Sequence, residues 1–301
     1  VALTVSPCLN NVPPEDATGA VLVRASIGGK KMIGRLVASS VLALTLGTVD
    51  VRSETLFATD QFGTDLFTFD TDTGATALVG DIGFAVSGLA ASPSGELFGI
   101  TTANQLISID PSSGAGTVVG TSSVTSSPEG LAFAPDGTLF ASGGSSLFTI
   151  DPLTGASTLL GTISLADIDG LTVTQGPVTT AAGTFGAGTL LAADSGDLFA
   201  INPSSLAVTA IGSPTNSVPQ EALTILSDGT LFAADSSLDA VFLVDLVTLV
   251  STQVGPPTGL ALIGGLTGPV SPSASDVPLP AGLPLALAGL LSLAWVGRRR
   301  S

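Results

Sequence analysis

The sequence predicts an all-β protein, a β-propeller of about five four-stranded blades, and three observations predict it. The stretch GLAFAPDGTLFASGGSSLFTIDPLTGASTLLG (130–161) holds four short apolar runs, ended in turn by Pro135-Asp136-Gly137, Ser142-Gly143-Gly144, Asp151-Pro152-Leu153-Thr154-Gly155 and Gly161. Runs of this length, rich in Leu, Phe, Ile and Thr and fenced by Gly, Pro and Asp, read as strands. Four of them in about 40 residues make one propeller blade. The third strand and its turn then recur at Leu66, Leu106, Leu147, Leu198 and Val241, with spacings of 40, 41, 51 and 43 residues. Finally, strands are left over at both ends of the repeat array, and joining them completes a blade.

Taken in order, residues 55–80 supply three strands with no first strand. Blades follow over about 88–120, 130–161, 170–212 and 222–255, each opened by an apolar pair at Gly88-Leu89, Gly130-Leu131, Gly170-Leu171 and Ala222-Leu223. A further Gly265-Leu266 has no partners after it, so it is expected to pair with 55–80 as the inner strand of a fifth blade. Such closure removes sheet edges that would otherwise invite aggregation. The excess residues around 175–187 are expected to lengthen one loop. A helical array would need apolar positions at 3.6 spacing, which the repeats lack.

All eight basic residues lie outside the repeats, at Arg24, Lys30, Lys31, Arg35, Arg52, Arg298, Arg299 and Arg300. Between Glu54 and Asp276 there are 21 acidic residues and no Lys or Arg. Burial and ladder hydrogen bonds must therefore hold the domain without side-chain ion pairs. A body this acidic repels phosphates, which excludes nucleic-acid binding. The chain has no His and no Tyr, and its one cysteine, Cys8, precedes the repeats. Ser-His-Asp or Cys-His catalysis, a His metal site and an internal disulfide are thus excluded from the domain.

The flanks carry different information. Residues 1–31 show no strand pattern and are expected to be a disordered upstream extension, with Met32 as the natural start. Lys30, Lys31 and Arg35 flank an apolar run from Leu36 to Leu46, so 32–53 reads as a signal peptide, an N-terminal helix cut after Ser53. The propeller then spans 54–270 and a Ser/Pro linker 271–276. In 277–301, Val277-Pro278-Leu279-Pro280-Ala281 opens an apolar run to Gly297, which Arg298-Arg299-Arg300 ends. The run from Ala281 to Gly297 would span roughly 25 Å as a helix, marginally enough for a bilayer core. The terminal arginines should stay cytoplasmic.

This order of Pro-containing motif, apolar helix and basic end resembles the PEP-CTERM sorting signal in its VPLPA variant. The resemblance implies recognition by an exosortase in a Gram-negative bacterium, an inner-membrane intermediate, and release or attachment at the cell surface. It also implies association with exopolysaccharide, other envelope components or extracellular matrix.

Two sets of carboxylates are candidate ligands. The Asp-x-x-x-Gly segments at Asp70, Asp110 and Asp151, with Asn202 in a fourth copy, look like calcium loops. Their aligned copies read as hairpin turns, with Asp accepting backbone N–H bonds. The residues just before each first strand, Ser87, Glu129, Asp169, Glu221 and Gly264, should ring one mouth of the central channel. Glu129, Asp169 and Glu221 would there suit a hard cation such as Ca2+, the alternative being a solvated rim that holds no ligand. Loop residues Asp60, Asp65, Asp194, Asp197, Asp235 and Asp239 should crowd the same face. The segment PEGLAFAPDGTLFA (128–141) resembles strand openings of gluconolactonase-type and NHL-type propellers. That resemblance implies an alternative, a divalent-metal-dependent hydrolase or lactonase using the rim carboxylates, beside the non-catalytic binding or scaffold module.

Overall fold

Because the inner strands carry Gly-Leu or Ala-Leu pairs and the second strands are predominantly apolar, each sheet is suited to burial on both faces. The computed structural model describes residues 21–27, 30–36, 54–60, 63–124, 128–215, 220–260 and 263–268. The chain divides into two units, residues 1–52 and 53–301. In the first, β1 (Val21–Ile27) pairs antiparallel with β2 (Lys30–Leu36), in register from Val21 opposite Leu36 to Ile27 opposite Lys30. This corrects the expectation of no strand within 1–31 and of helix from Met32. Two β-prone runs separated by Gly28-Gly29 are a hairpin pattern, which a search at the 40-residue period passes over. The rest of the signal segment (37–53), the linker and the sorting segment 277–301 lie outside the described residues. Among the described residues no helix is long and apolar enough to cross a membrane.

The second unit is a five-bladed β-propeller. Its strands begin with β3 (Thr55–Asp60), β4 (Asp65–Asp70) and β5 (Thr76–Asp81). Blade one follows as β6 (Val86–Ala91), β7 (Leu97–Thr101), β8 (Gln105–Ile109) and β9 (Gly116–Thr121). Blade two is β10 (Pro128–Phe133), β11 (Leu139–Gly143), β12 (Ser146–Ile150) and β13 (Ser157–Thr162). Blade three opens with β14 (Gly170–Val173). A separate hairpin, β15 (Val178–Thr180) and β16 (Gly183–Phe185), interrupts it before β17 (Leu190–Asp194), β18 (Asp197–Ile201) and β19 (Val208–Gly212). The excess residues expected as a loop are thus partly a two-stranded sheet. Its Ala181 N–H donates to the Leu246 carbonyl of the next blade at 2.7 Å. Blade four is β20 (Gln220–Ile225), β21 (Leu231–Asp235), β22 (Ala240–Val244) and β23 (Ser251–Gln253).

The last strand, β24 (Ile263–Thr267), pairs antiparallel with β3, placing Leu266 opposite Ala58 and Thr267 opposite Phe57. The fifth sheet therefore runs β24-β3-β4-β5, as the leftover strands at the two ends required. The inner strands β6, β10, β14, β20 and β24 each pack on two neighbours, and β24 packs on β6 to close the circle.

Each of the five hydrophobic clusters is shared between two adjacent blades. One joins Leu66 and Ile82 to Val86, Leu89 and Ile107, and another joins Leu56, Ala58 and Phe69 to Phe232 and Val241. Phe98 of blade one meets Phe133 of blade two with ring centroids 5.5 Å apart. Second strands are buried at every position in blades one to four, whereas the outermost strands are mostly exposed. Three threonines tie neighbouring inner strands. The Ala91, Ile225 and Gly268 N–H groups donate to the hydroxyls of Thr267, Thr172 and Thr224 at 3.0, 3.1 and 3.3 Å.

Glycine sets the blade spacing at two radii. Near the axis, a Cβ on Gly130 would lie 2.5 Å from Leu171 Cβ, so the Gly-Leu pair lets each leucine nest against its neighbour's backbone. At the periphery, a Cβ on Gly120 would lie 1.9 Å from the Thr154 carbonyl oxygen, and one on Gly80 would lie 2.1 Å from that of Ser113. The third-to-fourth turn of one blade therefore seats on the outer strand of the previous one.

Candidate functional site

At the end of the sheets where the inner strands begin, four of the five blades carry a register shift. The shifts fall between Val86 and Gly88, Pro128 and Leu131, Gln220 and Ala222, and Ile263 and Gly265. A bulge leaves a residue outside the ladder and re-aims it, and the residues within these shifts include Ser87, Glu129, Glu221 and Gly264. Glu129, Glu221 and Gly264 consequently line the axial mouth. Blade three has no such shift. There Asp169 precedes β14, and its N–H donates to the Ala193 carbonyl at 3.0 Å.

Below the mouth, Leu89, Leu131, Leu171, Leu223 and Leu266 converge and close the axis. The space above them is about 10 Å3 and that below about 30 Å3, around the volume one water needs. The propeller axis is a packed core, and a ligand at this end must rest on the mouth.

Of the three residues expected to share a cation, the structure brings together Glu129 and Asp169, and adds Asp167. One carboxylate oxygen from each of Glu129, Asp167 and Asp169 lies within 4.8 Å of the others. Asp167 was missed because the sequence reading took only the residue next to each inner strand. The alternation Asp167-Ile168-Asp169 was the available signal, since residues two apart in extended chain share a side. Ser142, fully buried, holds the group together. Its hydroxyl accepts from the Gly130 N–H at 2.9 Å and donates to the Ile168 carbonyl at 3.3 Å, linking the residue after Glu129 to the one between the two aspartates. The Ser195 N–H donates to Asp169 Oδ2 at 3.3 Å. Glu221 stands outside the trio but faces it. One of its oxygens accepts from the Ser236 hydroxyl, while Oε2 is buried with no hydrogen-bond partner.

The loop aspartates expected to enrich this face are largely committed elsewhere. Asp194 accepts from the Ala166 N–H at 2.8 Å and the Ser195 hydroxyl at 2.9 Å. Asp235, 1% exposed, accepts from the Ser237 and Leu238 N–H groups at 2.9 and 3.1 Å. Asp239 is taken by Thr258 and Gly259, and Asp197 by the Ser213 hydroxyl. At the opposite end, the calcium-like segments are turns. Asp70 Oδ1 accepts from the Asp72 and Thr73 N–H groups at 3.1 and 2.8 Å, and Asp110 and Asp151 accept likewise from Ser112 and Leu153. Gly74, Gly114 and Gly155 close them with positive φ.

Electrostatics separates the two ends. Hydrogen bonds from Ser112, Leu153 and Thr248 hold Asp110, Asp151 and Asp245 below the usual carboxylate range. At the mouth the direction reverses. Burial, followed by the charges of Asp167, Asp169 and Glu221, pushes Glu129 up to about 7. Burial also raises Asp169 and Glu221, against hydrogen bonds from Ser195 and Ser236. With no Lys or Arg between Glu54 and Asp276, such a cluster is relieved by a proton or by a hard cation with oxygen ligands.

No protein-family model matches the sequence, and no curated protein matches it. Among solved structures, the fold is similar to a chain in a crystal structure of a nidogen/laminin complex. The TM-score is 0.52 and the identity 13%, over 73% of this chain and 99% of that one. A catalytically inactive virginiamycin B lyase from Staphylococcus aureus, with quinupristin, matches with a TM-score of 0.41 and 13% identity, over 81% of this chain and 79% of that one. Kuenenia stuttgartiensis hydrazine synthase matches with a TM-score of 0.38 and 21% identity, over 56% of this chain and 47% of that one. The first likeness shows the fold, a β-propeller.

Glu129 makes stability depend on pH. Its folded-state value is raised, so the folded protein holds the proton more tightly than the unfolded chain does. The contribution is fully present below 4.5 and is lost as pH rises through about 7. Partial exposure of Glu129 to solvent screens the effect to on the order of 1 kcal/mol. Glu129→Gln is expected to melt above the wild type at alkaline pH, with the gap closing below pH 4.5. Thermal unfolding of both proteins across this range checks it. A gap of the same size at both ends contradicts the assignment.

Proposed function

We propose that this chain is an exported protein of a Gram-negative bacterium, sorted by an exosortase, whose propeller is a non-catalytic binding or scaffold module. Its place would be the cell surface or the extracellular matrix, reached through an inner-membrane intermediate, with exopolysaccharide or other envelope components as partners. The observation that carries the module reading is the closed axis. Five leucines fill the space beneath the acidic mouth and leave about 10 Å3 there. A hydrolase or lactonase built on Glu129, Asp167 and Asp169 would need a cleft to hold its substrate over them, and among the described residues the axis leaves only that space.

The sorting half of the proposal rests on sequence: Val277-Pro278-Leu279-Pro280-Ala281, the apolar run after it, and Arg298-Arg299-Arg300. Replacing Val277–Ala281 with serines, in a host carrying the exosortase, is expected to leave an uncleaved protein in the inner membrane. An unchanged mature C-terminus and an unchanged surface signal would contradict it.

The same reading takes Glu129, Asp167 and Asp169 as ligands for calcium, which would offset their mutual repulsion. An ion that binds only the folded state adds about 2.7 kcal/mol at a hundredfold excess over Kd. Calcium chloride is expected to raise the melting temperature more than sodium chloride of equal ionic strength, and Glu129→Gln with Asp167→Asn is expected to remove the difference. Equal shifts from the two salts in the wild type would reduce the effect to screening.

A further inference from the structure

The repeat is broken most strongly in blade three. The β15–β16 hairpin is inserted between its first two strands, and its third-to-fourth turn ends on Leu206, φ 58°, as blade four's ends on Leu249, φ 57°, where the three preceding such turns end on glycine. A cleft of about 670 Å3 opens there, between blades two and three at the end opposite the acidic mouth. Its walls include Phe140 and Leu160 of blade two and Leu206 of blade three, and its polar groups include Asp136, Thr149 and Ser204. Blade one has a smaller cleft of about 340 Å3 beside Phe98 and Ser108, which hold the positions of Phe140 and Thr149. The break in symmetry thus coincides with a cavity of the size that binds small ligands.

We propose that this cleft binds a short uncharged saccharide, and the proposal rests on reading the propeller as a binding module. The chemistry of the lining selects the occupant. Asp136 is the only charged group among the described residues of the lining, and no Lys or Arg lies between Glu54 and Asp276 to attract an anion. Nucleotides, fatty acids and acidic glycans would therefore meet repulsion. A pure hydrocarbon would strip water from the carboxylate and from the Thr149 and Ser204 hydroxyls without replacing its hydrogen bonds. A sugar satisfies both sides. Its hydroxyls donate to Asp136 and exchange bonds with Thr149 and Ser204, while the C–H face of its ring lies on Leu160 and Leu206. Asp136 Oδ1 accepts the Thr138 N–H at 3.0 Å in the turn that carries it, as Asp228 accepts the Thr230 N–H in blade four, and this bond fixes the carboxylate at the cleft.

The test titrates the full chain with cellotetraose, chitotetraose and maltotetraose, and with tetralysine as a basic-peptide probe, reading backbone hydrogen exchange. At least one saccharide is expected to slow exchange at 134–140 and 203–206. Ser204→Trp, which fills the cleft from an exposed turn, is expected to abolish that protection while leaving exchange in the remaining blades unchanged. Asp136→Asn is expected to weaken binding by about tenfold, the loss expected when a hydrogen bond to a charged acceptor becomes a neutral one. Protection near Glu129 and Asp167 instead would overturn this site and leave the binding-module reading standing. Protection at the cleft by tetralysine alone would overturn the saccharide assignment, and so would silence from all four probes.

Discussion

The structure depends on one pairing, that of β24 with β3. Each hydrophobic cluster belongs to two blades at once, so no blade buries its own apolar faces. An open arc would leave two such faces in water, and within 54–268 no side-chain ion pair can offset that exposure. Leu266 opposite Ala58, with Thr267 receiving the Ala91 N–H, converts the arc into a circle. The periphery repeats the closure. Gly74 of the closing blade meets Gly255 of blade four so closely that a Cβ on Gly74 would lie 2.5 Å from the Val254 carbonyl oxygen.

Closure also explains why the carboxylates at the two ends behave differently. Those in the third-to-fourth turns are spent locally, each accepting N–H groups from residues two or three positions on, and they are exposed. They cost little and fix the turns. Glu129, Asp167, Asp169 and Glu221 are brought toward one axis by different blades. Apart from Asp167 and Asp169, which lie two residues apart in one segment, their crowding is a consequence of the circle. Ser142 bridges two of those blades from a fully buried position, and it fixes Glu129 relative to Asp169.

Much of this was legible in the sequence. The Gly-Leu pairs and the 40-residue period carried the blade count, and the unpartnered Leu266 carried the closure, because both arise from contacts that every blade repeats. What stayed hidden arises where the repeat fails. The bulges that aim Glu129 and Glu221 inward leave no residue signature. Asp167 lies outside the register that defined the rim, and the committed states of Asp194 and Asp235 depend on Ala166, Ser237 and Leu238, which no periodicity points to. The β15–β16 hairpin likewise belongs to blade three alone, and the cleft beside Leu206 lies where blade three meets blade two. The β1–β2 hairpin falls outside the repeats altogether.

The central claim is that the circle, and not the individual blade, is the folding unit. Backbone hydrogen exchange on a chain lacking 263–268 tests it most directly. The account predicts that protection falls together in all the remaining sheets, including β10–β13, which lie far from the deleted strand in sequence and do not pair with it. Loss confined to β3–β5, with β10–β13 protected as in the intact chain, would contradict it.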